Sequence, residues 1–218
     1  MWRLRGSGGD VVRNVWKLGG HPSALTGGAF DAKEQALITG SDGCAIKQYD
    51  LSAGKVARTL NGHRSGVTSV HPHPFGEFVV SGGTDTHVKI WDMRKRACIQ
   101  TYKGHAAALN AVRFSPDGRW VASAANDGKA ILWDLTTGRS VRTLAFRSGV
   151  HPTHFEFSPH EFLLAIAASD RVMRLWDLET FDVLGTTFPE SSPIRALGFV
   201  PDADPSRAFT ATGGVLRE

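Results

Sequence analysis

Two stretches of the 218-residue chain hold the residue types of an acyl-transfer triad. His63, Ser81 and Asp85 lie in one, and His105, Ser123 and Asp127 in the other. A hydroxyl beside an imidazole that a carboxylate orients is the arrangement that makes a serine nucleophilic. Each set is followed at the same distance by a tryptophan, Trp91 or Trp133, and the whole spacing recurs after 42 residues. One active site has no reason to be copied in register. An indole N–H, a hydroxyl, an imidazole and a carboxylate can instead satisfy one another inside a core, where an unpaired polar group is costly. A set that occurs twice suits a scaffold and not a single active site, so no catalytic role is expected of either stretch. His71-Pro72-His73-Pro74 places two imidazoles two residues apart. No Cys or carboxylate stands at matching spacing, so a turn is expected there and not a metal site. No Walker loop, GxGxxG or HExxH occurs, so no cofactor and no enzyme activity are expected.

These residues must be positioned by short strands. From Gly104-His105 to Trp133-Asp134, Leu109 to Phe114 alternates apolar and polar residues, as a half-buried strand does. Ser115-Pro116-Asp117-Gly118 supplies a turn, Trp120 to Ala124 a second run, and Asn126-Asp127-Gly128 a hairpin signal. Ala130 to Trp133 and Ser140 to Leu144 complete a four-stranded meander. Trp91, Trp133 and Trp176 head Trp-Asp pairs 42 and 43 residues apart, with Tyr49-Asp50 a further 42 before Trp91. Gly20-His21, Gly62-His63 and Gly104-His105 keep the same period.

A Gly-His start and a Trp-Asp end repeating near 42 residues resemble the WD-repeat family. The resemblance implies an all-β, WD-repeat β-propeller with one four-stranded blade per repeat. It also implies that His63, Ser81, Asp85 and Trp91, and likewise His105, Ser123, Asp127 and Trp133, form a buried structural hydrogen-bond chain running Asp, His, Ser, Trp. Repeats are expected at about 20–61, 62–103, 104–145 and 146–187, with a partial one at 188–218, after a flexible segment 1–9. The propeller is expected to be incomplete, with four full blades and a fifth of two strands without a Trp. Asp10 to Leu18 matches the last strand of a blade, and the strand count suggests a truncated product of a longer protein. The first repeat is degenerate, with His21, Thr39, Asp42 and Tyr49 in the four slots. The fourth keeps Asp170 and Trp176, but Arg147 replaces the His and Ile166 the Ser, so that blade must lock differently.

Hydrophobic residues make up 41% of the chain, ordinary for a globular protein, and no apolar run is long enough to span a bilayer. The first residues have no apolar core, so no secretion signal is expected there. Two cysteines, Cys44 and Cys98, fall in different repeats, and a reducing, cytosolic or nuclear setting is expected. Net charge is +4. The densest basic run is Arg94-Lys95-Arg96, a candidate contact for an acidic partner. Lys89, Lys103, Arg113, Arg119 and Arg142 could enlarge its field.

A closer resemblance covers about residues 62–200. The run from His73 to Gly82, with Asp85-Thr86, Lys89-Ile90-Trp91-Asp92 and Arg94, is similar to the katanin regulatory, WD-repeat subunits. So are Arg113 to Ala125 with Leu132 to Thr136, then Glu161 to Ala165, Ser169 to Arg171, Leu175 to Glu179, and Ser192 to Arg195. The resemblance implies a non-catalytic subunit that targets a microtubule-severing AAA ATPase, binds tubulin, and sits in the cytoplasm at centrosomes and spindle poles. The helical C-terminal region through which that family contacts its ATPase is not in these residues. ATPase contact is therefore expected to need sequence beyond them. The alternative is a generic adaptor, such as a ubiquitin-ligase substrate receptor, reading a peptide at a propeller rim.

Overall fold

The computed structural model describes residues 18–159 and 161–199, with the short strands 2–3, 13–14, 208–212 and 215–217. Short alternating runs between turns give strands and no helix among the described residues. After a pair formed by β1 (Trp2–Arg3) and β2 (Arg13–Asn14), four sheets of four antiparallel strands follow in chain order. The first holds β3 (Leu25–Phe30), β4 (Ala36–Ser41), β5 (Ala45–Asp50) and β6 (Lys55–Asn61). The second holds β7 (Val67–Pro72), β8 (Phe78–Gly83), β9 (Val88–Asp92) and β10 (Ala97–Tyr102). β11 (Leu109–Phe114), β12 (Trp120–Ala125), β13 (Lys129–Asp134) and β14 (Ser140–Ala145) form the third. β15 (Pro152–Phe157), β16 (Leu163–Ala168), β17 (Met173–Asp177) and β18 (Val183–Thr186) form the fourth.

The first strands of successive sheets lie side by side. Ser69 Oγ accepts the Val112 N–H at 3.3 Å, and Asn110 Nδ2 donates to Pro152 O at 2.9 Å. These bonds join matching repeat positions, so the inner strands run parallel and in register. All turns between first and second strands, and between third and fourth, therefore end on one side of the array. The architecture is an all-β, incomplete β-propeller.

The core lies between blades. Ile38, Ile46 and Leu60 of the first sheet meet Val67, Val79 and Trp91 of the second. Val80, Val88 and Ile90 meet Val112, Val121 and Trp133. Ala122, Leu132 and Leu144 meet Phe155, Leu164 and Ile166. Neighbours in a strand thus serve opposite interfaces, Val79 one way and Val80 the other, as a period of two requires. Each Val, Leu, Ile or Phe among them contributes about 1.5–3 kcal/mol on burial. Close approach demands small residues in the second strand. A Cβ on Gly82 would lie 2.8 Å from Val112 Cγ1.

The turn joining second and third strands puts one residue in the left-handed region in every full blade: Cys44, Thr86, Gly128 and Arg171, with φ of 65, 67, 75 and 66°. Only one of the four is glycine, so the turn is marked by a glycine at its left-handed position in the third repeat alone.

Two expectations are corrected at the ends. The fifth sheet has three strands, β19 (Ile194–Phe199), β20 (Ala208–Thr212) and β21 (Val215–Arg217), where two were expected. A backbone ladder needs no Trp, so its absence concealed β21. Arg13–Asn14 pairs with Trp2–Arg3 in a two-stranded sheet, and not within a blade as the match to a last strand implied. The rest of the strand expected over Asp10 to Leu18, apart from Leu18, lies outside the described residues, as does the flexible segment 1–9 apart from β1.

Candidate functional site

In the second blade Trp91 Nε1 donates to Ser81 Oγ at 2.7 Å, and Ser81 Oγ lies 2.6 Å from His63 Nε2. His63 Nδ1 faces both Asp85 oxygens, at 3.0 and 3.1 Å. The third blade repeats this. Trp133 Nε1 donates to Ser123 Oγ at 2.8 Å, Ser123 Oγ is 2.8 Å from His105 Nε2, and His105 Nδ1 is 3.0 Å from Asp127 Oδ2. Burial pushes both imidazoles below their ordinary pKa, although the facing carboxylates oppose this, so both rings are neutral near pH 7. The single ring proton then sits on Nδ1 and is donated to the carboxylate. Nε2 accepts the serine O–H, and the serine lone pair accepts the indole N–H. Burial pushes the two aspartates up, but the Arg64 and Ala106 N–H groups and the histidines outweigh it and hold them below the carboxylate range.

The Ser–His–Asp order is that of a catalytic triad, and burial settles its use. Ser81 and Ser123 are 0% exposed, and their lone pairs already face an indole. No substrate carbonyl can reach either oxygen. The tetrads join the turns at one end of a blade to its third strand, because Asp85 also accepts Arg64 N–H at 2.9 Å and Asp127 accepts Ala106 N–H at 2.9 Å.

The outer repeats are built otherwise. In the first, His21 Nε2 reaches Thr39 Oγ1 at 2.8 Å, and its ring lies 6.3 Å from the buried Tyr49 ring. Asp42 does not join them, and His21 Nδ1 is buried without a hydrogen-bond partner. Asp42 precedes the tetrad position by one residue, where its carboxylate faces Gly66 of the next blade. In the fourth, Asp170 pairs with Arg174 and not with the His-slot residue Arg147. Arg174 also stacks over Phe146 at 5.4 Å. Ile166 fills the hydroxyl's place, and Trp176 Nε1 is buried and unpaired.

His71 and His73 are not both in a turn. His71 lies in β7, and its Nδ1 accepts Phe114 N–H of the next blade at 3.3 Å. Burial, with Arg113 and His73 nearby, lowers its pKa to about 3. His73 Nδ1 accepts the N–H groups of Phe75 and Gly76, at 3.1 and 2.9 Å, and Nε2 donates to Gly118 O at 3.1 Å. Both rings are interblade ties. No group of three or more metal-binding side chains occurs among the described residues. Cys44 and Cys98 are unpaired thiols.

Arg94, Lys95 and Arg96 are exposed on the turn between β9 and β10. Asp92, the acid of the Trp-Asp pair, fixes this turn by accepting Arg94 N–H at 2.8 Å and Lys95 N–H at 3.1 Å. Asp50, Asp134 and Asp177 do the same in their own blades. This turn-capping role was missed in the sequence, although an Asp two or three residues ahead of the turn N–H groups is the signal for it. Arg94 Nε lies 3.5 Å from Glu77, both largely exposed, while Lys95 and Arg96 have no ion pair among the described residues. Of the other cations named, only Arg119 lies where it could extend this field. Lys103 sits at the opposite end of the array, and Lys89 donates to Thr101. Arg113 is spent on Glu156 at 2.9 Å, and Arg142 stacks on Phe181 at 5.5 Å. Arg119 shares the side of the basic turn, 3.9 Å from Asp117.

Comparison with known proteins agrees with this geometry. The family described as WD domain, G-beta repeat, matches residues 54–92, 96–134 and 138–177, more than half of the chain. Each match opens near the fourth strand of one blade and closes at the Asp of the next, so it spans two adjacent sheets. Nuclear distribution protein nudF of Aspergillus terreus is 40% identical over 50 residues, which is 23% of this chain and 11% of that protein. The shared stretch is thus a small part of the curated relative's length.

Proposed function

The chain belongs to the WD-repeat family, and on that footing we propose that it is a rigid, non-catalytic protein-binding platform like the katanin regulatory subunits, holding microtubules through Arg94, Lys95 and Arg96. WD repeats themselves imply a protein-interaction scaffold. The katanin-like role rests on the residues that resemble that family from His73 to Arg195, and on the basic turn. The observation that carries the turn's role is the backbone of Arg96, with φ of 54°. Gly54 and Gly138 stand at this repeat position in the neighbouring blades, with φ of 63 and 71°, and Phe181 in the fourth, with φ of 61° and its ring packed on Trp120 and Arg142. A side chain there costs about 1–2 kcal/mol relative to an unstrained conformation. Strain kept at an exposed cation is a pointer to function. The acidic tails of tubulin are the partner that such a turn suits, through attraction that salt screens. This reading places the protein on the cytoplasmic cytoskeleton, at centrosomes and spindle poles, beside a severing ATPase.

The test is microtubule co-sedimentation of the Arg94→Glu/Lys95→Glu/Arg96→Glu variant. Binding should fall at least tenfold at physiological salt, and undiminished binding rejects the role of the turn. Capture from lysate separates the two classes of scaffold. Tubulin and an AAA ATPase support the reading, and ubiquitin-ligase components in their place support the generic adaptor.

A further inference from the structure

The first residue of the turn between first and second strands is Asp31, His73, Ser115 or Ser158 in successive blades. Each accepts a backbone N–H of its own turn: Asp31 from Ala36 at 2.7 Å, Ser115 from Trp120 at 2.9 Å and Ser158 from Glu161 at 3.3 Å. His73 does so with Nδ1, and its ring is long enough to reach the next blade as well. A Cβ on Gly118 would meet that ring at 2.5 Å, so the gap between the second and third turns is filled. Ser115 is short, and its hydroxyl turns back to Asp117 at 2.5 Å. Between the third and fourth turns a slot of about 290 Å³ therefore stands open.

Its walls are Pro116, Trp120, Phe157, Pro159, Phe162 and Leu178. Phe162 is 57% exposed. The walls are held by backbone bonds, Ser115 N–H to Trp120 O at 2.9 Å and Leu178 N–H to Phe162 O at 2.8 Å, so little order is lost when a guest enters. Ligand pockets run from about 300 to 1,000 Å³, and this one sits at the lower limit, suited to one or two side chains. The rim is acidic. Glu161 has no ion pair among the described residues, and Asp117 has only the exposed Arg119 at 3.9 Å.

We propose that the slot between the third and fourth blades binds a partner polypeptide in which a bulky apolar side chain adjoins Arg or Lys. The apolar group enters between Trp120 and Phe162, and the cation meets Asp117 and Glu161. The repeat itself provides the plug that tests this, Ser115→His, since an imidazole at that position already holds the equivalent turn in the second blade. Phe162→Ser is the second variant, at an exposed site where folding is insensitive. A random peptide library displayed on phage is panned against the chain and both variants, each checked for an unchanged melting temperature. Enrichment of apolar–basic sequences on the wild type, at least tenfold weaker on either folded variant, supports the site. An acidic consensus, equal enrichment on all three proteins, or no enrichment overturns it. Self-association that Ser115→His abolishes also overturns it, in favour of a second copy as the occupant. None of these outcomes depends on Arg94, Lys95 and Arg96, so this site and the microtubule reading stand or fall separately.

Discussion

Trp133 donates its indole N–H to Ser123 Oγ at 2.8 Å, whereas the equivalent indole of Trp176 is buried against no acceptor because Ile166 occupies the hydroxyl's place. The same residue type is thus satisfied in one blade and frustrated in another. Removing a satisfied donor strands its partner, while removing an orphan relieves a desolvation cost of about 1–3 kcal/mol. Trp133→Phe and Trp176→Phe delete the same atoms. Trp133→Phe is expected to lower stability by about 3 kcal/mol, from lost packing and a lost hydrogen bond. Trp176→Phe should cost less than about 1 kcal/mol. Urea denaturation of both variants checks this, and equal losses would refute the assignment.

Asp127 collects three donors, His105 Nδ1–H at 3.0 Å, Ala106 N–H at 2.9 Å and Lys129 N–H at 3.1 Å. Its side chain is 7% exposed. Asp127→Ala leaves the His105 proton without its acceptor and frees both ends of the turn. A loss of about 3 kcal/mol follows from charge-assisted bonds of this kind. A melting temperature equal to that of the wild type would defeat this account of the tetrad.

Acid should unfold the protein in two steps of the same sign. His63, His71 and His105 have folded pKa values below the ordinary 6.5, chiefly through burial, with that of His71 at about 3. Below pH 6.5 the unfolded chain takes up protons that the folded chain refuses, so stability present above 6.5 is lost as pH falls. Protonation of His71 would also turn its Nδ1 from acceptor to donor against Phe114 N–H. Asp85 and Asp127, held below their ordinary 3.8, contribute stability above that value, and it is lost as pH falls through their folded pKa. Glu156, raised by burial, works in the opposite direction. Denaturation midpoints at pH 7.5, 6.0 and 5.0 should decline in that order, and His71→Gln should flatten the decline. Midpoints that do not change over this range would contradict the neutral, buried imidazoles.

The period was legible because its markers recur in several repeats, and the tetrads because each needs residues of one repeat only. Trp133, Ser123, His105 and Asp127 occupy fixed positions along a single meander, and the WD-repeat resemblance implied the hydrogen-bond chain that joins them. What escaped was relational. His73 ties to Gly118 across a blade boundary, a contact 45 residues away that no local pattern announces. Arg113 looked available for a partner until Glu156 on the next inner strand claimed it. Asp42 shows the limit of matching by type, since a displacement of one residue on a turn sends its carboxylate away from His21. The strand β21 was missed for the opposite reason, because a Trp had been treated as the marker of a strand that backbone pairing alone can build.

The left-handed turn residues separate stability from function. Thr86 is β-branched at φ of 67°, where Gly128 stands in the next blade. Relief of about 1–2 kcal/mol of strain, less about 0.5–1 kcal/mol of glycine's extra chain entropy, predicts that Thr86→Gly stabilises the fold by about 0.5–1 kcal/mol. Arg96→Gly removes the same strain and should stabilise by a similar amount, but it also removes a cation from the exposed turn. The two variants should therefore both melt higher than the wild type, while only Arg96→Gly weakens microtubule co-sedimentation. Thermal melts and pelleting assays on the pair decide the matter. If Arg96→Gly gains stability and binds undiminished, the strain at Arg96 has no part in recognition and the basic turn is a solvated loop.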